Sequence, residues 1–274
     1  MGWQRYDLVF RLLAPLHSGW RKSGNLQQTR GYVPGKNVWA ALTARLTRET
    51  GQGAVGSAYE EMGKLVQCKF RFTYLYPATQ NGNGYTTHYP WDDGFDYLFL
   101  DSYTSTALNY PSQSAEEGLL HETEFIAPRT RDGDPVYLTG CLYAQAELPA
   151  ALQKWQDALT KLQFGGERGY GWGRVALVEC AQRERIEGNE VQIQVAAGHQ
   201  ITAHLEAKEA IPGVSGPLEP FIGWERNNPK EPTQKQPSWK LSDIAIICYA
   251  PGATIITASA FVVGKFGVLS PASD

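Results

Sequence analysis

Polar and apolar positions alternate at the start of the chain. In YDLVFRLL, Tyr6, Leu8, Phe10 and Leu12 share one face, the period-two mark of a half-buried strand. The following APLHSGWRKSGNLQQTRGYVPG is polar, basic and too rich in Gly and Pro for regular structure. The period then changes. Val38, Ala41, Leu42 and Leu46 recur at helical spacing, and a helix is expected to open near Asn37, an N-cap after the Pro34–Gly35 break. A short second helix around Ala58–Val66 leads into QCKFRFTYLYP. There Cys68, Phe70, Phe72, Tyr74 and Tyr76 alternate with Lys69, Arg71 and Thr73, which predicts a second strand.

Residues 77–118 are rich in Gly, Tyr and Asn with no sustained period and read as a long insertion. ETEFIAPRTRDGDPVYLTGCLYAQAEL predicts two strands around a turn at Asp132–Asp134. After Pro149, Leu152, Trp155, Leu159 and Leu162 have helical spacing, and RVALVEC predicts another strand. The order β-α-β-β-α-β implies an α+β, ferredoxin-like (RRM-like) domain over residues 1–181. Residues 182–274 form a β-rich C-terminal region on this reading, with strands in EVQIQVAAG and DIAIICYAPGATIITASAFVVG. Between them lies a Pro-rich tract, 211–240, expected to be a mobile loop or tether.

With 274 residues and 42% apolar content the chain can bury a full core. Its net charge of −3 excludes a uniformly basic nucleic-acid binder but not a local basic patch. The charge is uneven: residues 1–50 carry eight cations against Asp7 and Glu49 alone. The four cysteines form no C-x-x-C pair for zinc or redox chemistry, and no apolar run reaches the roughly 18 residues of a membrane span. The expectation is a cytoplasmic protein without cofactor, metal or membrane contact. His199 and His204 read as surface residues, and the pairs Asp92–Asp93 and Glu116–Glu117 as solvated. The aromatic stretch NGYTTHYPWDDGFDYLF reads either as a protein contact or as a self-contained mini-core.

The chemistry concentrates in LQFGGERGYGWGRV, where Gly165, Gly166, Gly169, Gly171 and Gly173 fall within nine positions. The spacing is G-x-G-x-G and the order is helix, loop, strand, so neither a dinucleotide fingerprint nor a phosphate loop fits. Two glycines would serve a tight turn. Five invite the close approach of another chain, with Arg168 and Arg174 supplying charge and Tyr170 and Trp172 able to stack on bases. Earlier in the chain, Arg21, Lys22 and Arg30 lie in a loop suited to single-stranded RNA, and Lys36 stands at a helix start suited to phosphate.

Three stretches carry a family likeness: LLAPLHSGW, RGYVPGKNVWAALTARL and FGGERGYGWGRV. Together they resemble the RAMP superfamily of CRISPR-associated proteins of antiviral defense, most of all subunits of type III effector complexes. The resemblance implies RNA binding within a ribonucleoprotein, with guide CRISPR RNA and other subunits of the complex as partners. Some members cut repeat RNA without metal through a His general base, for which His17 is the candidate. Backbone members cut target RNA with an acidic residue in the loop after the first strand, but residues 18–36 contain no Asp or Glu. Members that cap the complex grip the 5′ tag of the guide and cut nothing. The type III-D-like capping subunits are the nearest likeness, with the processing endoribonuclease and a structural or backbone subunit as alternatives.

Overall fold

The computed structural model describes residues 2–207, 213–227, 238–241 and 245–272. Its centre is an antiparallel sheet built on β1 (Gly2–Leu12). In chain order its other strands are β4 (Phe70–Phe72), β5 (Tyr76–Asn81), β6 (Gly84–Thr87), β11 (Tyr137–Gln145) and β12 (Val175–Glu187). The order across the sheet is β12-β1-β11-β5-β6, with β4 also on β11. Both neighbours of β1 run antiparallel to it. A second sheet has the order β2-β3-β10-β7, from β2 (Gly19–Ser23), β3 (Leu26–Thr29), β7 (Leu100–Ser105) and β10 (His121–Ile126). β8 (Leu108–Asn109) and β9 (Ser114–Ala115) make a small separate ladder.

One face of the central sheet is covered by α1 (Gly35–Glu49), α2 (Gly56–Lys69) and α4 (Trp155–Leu159), while α3 (Phe95–Phe99) packs at its margin. Leu8, Phe10 and Leu12 of β1 meet Leu42, Leu46, Val66 and Trp155 here. Burying each such side chain is worth about 1.5–3 kcal/mol. The expected one-faced strand is buried on both faces, because Trp3 and Val9 are also covered. Trp3, Tyr74, Tyr76 and Tyr143 pack against Ile201, Leu205, Phe261 and Leu269 of the C-terminal region. That region carries a third sheet, β13-β21-β22-β14-β19-β16. Its strands are β13 (Gln192–Val195), β14 (Leu205–Glu206), β16 (Leu218–Phe221), β19 (Ile246–Tyr249), β21 (Ser259–Val263) and β22 (Leu269–Pro271). Two small ladders complete it: β15 (Val214–Ser215) with β20 (Thr254–Ile255), and β17 (Trp224–Asn227) with β18 (Ser238–Leu241).

The class is α+β, sheet-rich, and several local expectations are corrected. α1 opens at Gly35 after Pro34, not at Asn37, whose amide instead approaches Ser18 Oγ at 3.4 Å. A Cβ at Gly35 would stand 2.5 Å from the Phe266 carbonyl oxygen, so this tight start needs glycine. The strand expected over 68–76 breaks. Cys68 lies in the last turn of α2, and between β4 and β5 the ladder to β11 is interrupted: the Thr73 amide still donates to Cys141 O, but Leu75 pairs with Val33. The stretch 77–118 is not structureless: β5 and β6 extend the central sheet, and Phe95 and Phe99 enter the main core instead of forming a mini-core. The strands around Asp132–Asp134 do not pair, since β10 joins the second sheet and β11 the first. The helix after Pro149 is a 3-10 turn at Ala150–Leu152 plus the five-residue α4, yet Leu152, Trp155, Leu159 and Leu162 are all buried as its spacing required. Part of the Pro-rich tract is strand: β16 pairs with β19. Residues 211–212 and 228–237 of that tract lie outside the described residues.

Candidate nucleic-acid interface

The glycine-rich loop is strapped to the segment that follows β1. The Gly173 amide donates to Pro15 O at 2.6 Å and the Gly166 amide to His17 O at 2.9 Å. Arg168–Tyr170 form one 3-10 turn between them. Gly165 (φ 75°) and Gly173 (φ 72°) are left-handed, and a Cβ there would strike the carbonyl oxygens of His17 and Phe164. Gly171 (φ 84°) is left-handed but faces open space. The turn therefore explains three of the five glycines. A Cβ on Gly166 would make an ordinary contact with the His17 ring, and one on Gly169 would touch nothing.

His17 is 8% exposed and its Nδ1–H donates to Glu124 O at 2.7 Å. Its ring lies between Gly19 of β2 and Gly166, so the loop and the β2–β3 hairpin meet across it. Trp172 is half-buried and packs edge-on against Phe125 of β10, with ring centroids 5.1 Å apart. Tyr103 of β7 stands 6.4 Å away on the other strand. Tyr170 is 84% exposed, and Arg168 and Arg174 are exposed beside it. Within the loop, then, Arg168, Tyr170 and Arg174 face outward, and Trp172 belongs partly to the packing.

On the hairpin side, Arg21 and Lys22 are exposed on β2. Trp20, Arg21, Arg30 and Lys36 line a cavity of about 450 Å³, closed on its other side by Glu219 and Ile222 of the C-terminal region. None of the five glycines lines it. Arg21 stacks on Trp20, its guanidinium carbon 4.1 Å from the ring centroid. Arg30 is already engaged: Nη1 donates to Glu219 Oε1 at 2.7 Å and to the Tyr32 hydroxyl at 2.8 Å.

Behind Arg30 runs a buried polar chain that the sequence did not reveal. His204, expected at the surface, is 0% exposed, while His199 is exposed as expected. Because an ionised Glu219 can only accept, His204 Nε2–H donates to Glu219 Oε1 at 2.6 Å. Nδ1 of the neutral ring then accepts from the Tyr74 hydroxyl at 2.5 Å. Trp20 Nε1–H donates to the other carboxylate oxygen at 3.1 Å. Burial lowers the His204 pKa and, by desolvating the phenol, raises that of Tyr74 well above its usual value. Burial alone would raise Glu219, but the hydrogen bonds from His204, Arg30 and Trp20 outweigh it and hold the carboxyl down to about 2. Among the described residues, no group of three His, Cys, Asp or Glu side chains is placed to hold a metal ion, and no helix is long and apolar enough to cross a membrane.

No protein-family model matches the chain, and no curated protein matches it. Among solved structures, it is similar to a chain in the cryo-EM structure of the type III-B Cmr-beta bound to cognate target RNA. The TM-score is 0.42 and the sequence identity 11%, over 68% of this chain and 61% of that one. This chain thus matches about three fifths of that neighbour's length, and an overlap so slight fixes neither family nor function.

Proposed function

We propose that the chain is a non-catalytic RNA-binding subunit of a type III CRISPR effector complex, holding the 5′ tag of the guide RNA. On this reading residues 1–181 are a ferredoxin-like RAMP domain with an insertion at about 77–118, and 182–274 a β-rich second region. In support, the central sheet places the first strand between the fourth (β12) and the third (β11), with the second (β4 and β5) outside the third. That is the strand order of a ferredoxin-like unit.

The observation that carries the proposal is the outward face of the glycine loop. Arg168, Tyr170 and Arg174 are exposed around Gly169, where nothing in the fold requires glycine. A bare backbone flanked by cations and a free ring suits a single strand, whose phosphates meet charge and whose bases stack. Arg21, Lys22 and Lys36 extend the positive surface past His17. Arg30 contributes less to phosphate binding, since Glu219 already offsets its charge. His17, covered by both glycines and tied to Glu124 O, acts here as the spacer that sets loop against hairpin.

Crosslinking of guide RNA in the assembled particle tests the proposal, with contacts expected at the loop and at 19–36. Absence of crosslinks would favour a purely structural subunit. Site-specific cutting of repeat RNA by the purified protein, lost in His17→Ala, would assign it to the processing endoribonucleases instead.

A further inference from the structure

The cavity between β2 and β16 has features that the glycine loop does not need. Among the described residues it is lined by the cations Arg21, Arg30 and Lys36 and by the carboxylate Glu219, so cations outnumber the acceptor held at its floor. Trp20 is 43% exposed at its wall and carries Arg21 on one face, a flat layered surface of the kind on which bases stack. Arg30 spends only Nη1 on Glu219 and Tyr32. Among the described residues its Nε and Nη2 have no protein acceptor, and neither is buried without a partner. Glu219 Oε2 accepts one bond, from Trp20, and keeps a lone pair. The floor therefore presents donors beside an acceptor, held rigid by His204 and Tyr74 behind them. A bare phosphate would face the carboxylate. A nucleobase edge, with an acceptor beside an N–H, matches both groups. A volume of about 450 Å³ lies within the range of small-ligand pockets.

We propose that this cavity takes one unstacked nucleotide of a single-stranded RNA, its base laid on the Trp20–Arg21 layer and its edge read by Arg30 and Glu219. The assignment rests on the RNA-binding reading above and adds a base-reading subsite to it, formed jointly by the N-terminal hairpin and the C-terminal region.

The test titrates the full-length protein with labelled single-stranded tag RNAs in which one abasic nucleotide is moved along the strand. The parent is expected to lose about tenfold in affinity at one position and little elsewhere. Trp20→Ala should bind the intact RNA about tenfold more weakly and be indifferent to that same position. Ile222→Trp, which fills the cavity from an exposed rim, should behave alike, so that a folding defect in one variant does not decide the matter. Intact RNA bound equally by the parent and both variants, with Tyr170→Ala still weakened, would overturn the subsite and leave the RNA-binding reading standing. Failure of the parent to bind any RNA would overturn both. A nucleoside monophosphate held as tightly as the RNA would make a free nucleotide the ligand and overturn the assignment to a strand.

Discussion

Arg30 and Glu219 are 189 residues apart in the chain, and their side chains meet at 2.7 Å, 15% and 9% exposed. This pair ties the β2–β3 hairpin to the C-terminal region. Removing one partner leaves a buried charge uncompensated, so Glu219→Ala should destabilise the protein by about 3–5 kcal/mol. Arg30→Met combined with Glu219→Leu should cost clearly less than the two single changes together. Urea unfolding of the four proteins measures the coupling, and strict additivity would show that the pair is not a unit.

Acid should loosen the same junction. Burial holds the folded-state pKa of His204 below its unfolded value of about 6.5. The unfolded chain therefore takes up a proton as pH falls through about 6.5, and the folded chain does so only lower down. Stability present above that pH is lost progressively below it. Glu219 adds a second, lower window. Its carboxyl titrates near 4.5 when unfolded and about 2 when folded, so its contribution is lost between those values. The urea midpoint should fall from pH 7.5 to 5, and His204→Gln should flatten that slope. A midpoint unchanged over the range contradicts the account.

The five glycines should divide by role. Gly173→Ala and Gly165→Ala force a left-handed residue into a carbonyl oxygen and should fail to fold or melt far below the parent. Gly171→Ala meets no atom but keeps the strain of its φ, worth about 1–2 kcal/mol. Gly169→Ala should melt with the parent, and any loss of RNA binding it shows reports on the ligand's approach. Thermal melts of the four variants suffice, and a destabilised Gly169→Ala would mean the open space there is occupied.

Charge and stacking on the loop are separable by salt. Arg168→Ala should lower the salt slope of RNA binding by about 0.7, the value for one phosphate contact on a single strand. Tyr170→Ala, at an 84% exposed residue, should cost about 1–3 kcal/mol of binding with little change in slope and none in stability. Binding isotherms at several salt concentrations distinguish the two. Equal slopes for both variants and the parent would remove Arg168 from the interface.

One buried hydroxyl is a defect the fold tolerates. Thr43 Oγ1 in α1 is buried and, among the described residues, has no hydrogen-bond partner. Thr43→Val keeps the shape and removes the unsatisfied group, so it should stabilise the protein by about 1 kcal/mol. A lower denaturation midpoint for this variant would show that the hydroxyl has a partner in solution.

Much of the framework is legible in the residues alone. The alternation through Tyr6, Leu8, Phe10 and Leu12 identifies the face of β1 that meets the helices, and the spacing of Leu152, Trp155, Leu159 and Leu162 identifies four buried positions although the helix there is short. Such patterns survive because burial is a property of one element, repeated at the period of its own backbone. The glycine stretch likewise announces a tight turn beside charge and aromatics. What lies beneath the cavity has no such signature. Glu219 sits in a Pro-rich stretch that reads as a tether, and His204 has no partner pattern within reach along the chain, yet β14 and β16, both paired with β19, bring His204 (just before β14) to Glu219 and Glu219 to Arg30. The break at Thr73–Leu75 arises because Val33 competes for the backbone of Leu75, and Gly140 leaves room for the departing Tyr74. Periodicity records which side of an element is covered. Which distant group covers it, and whether a buried charge finds its counter-charge, is decided only when three sheets pack together.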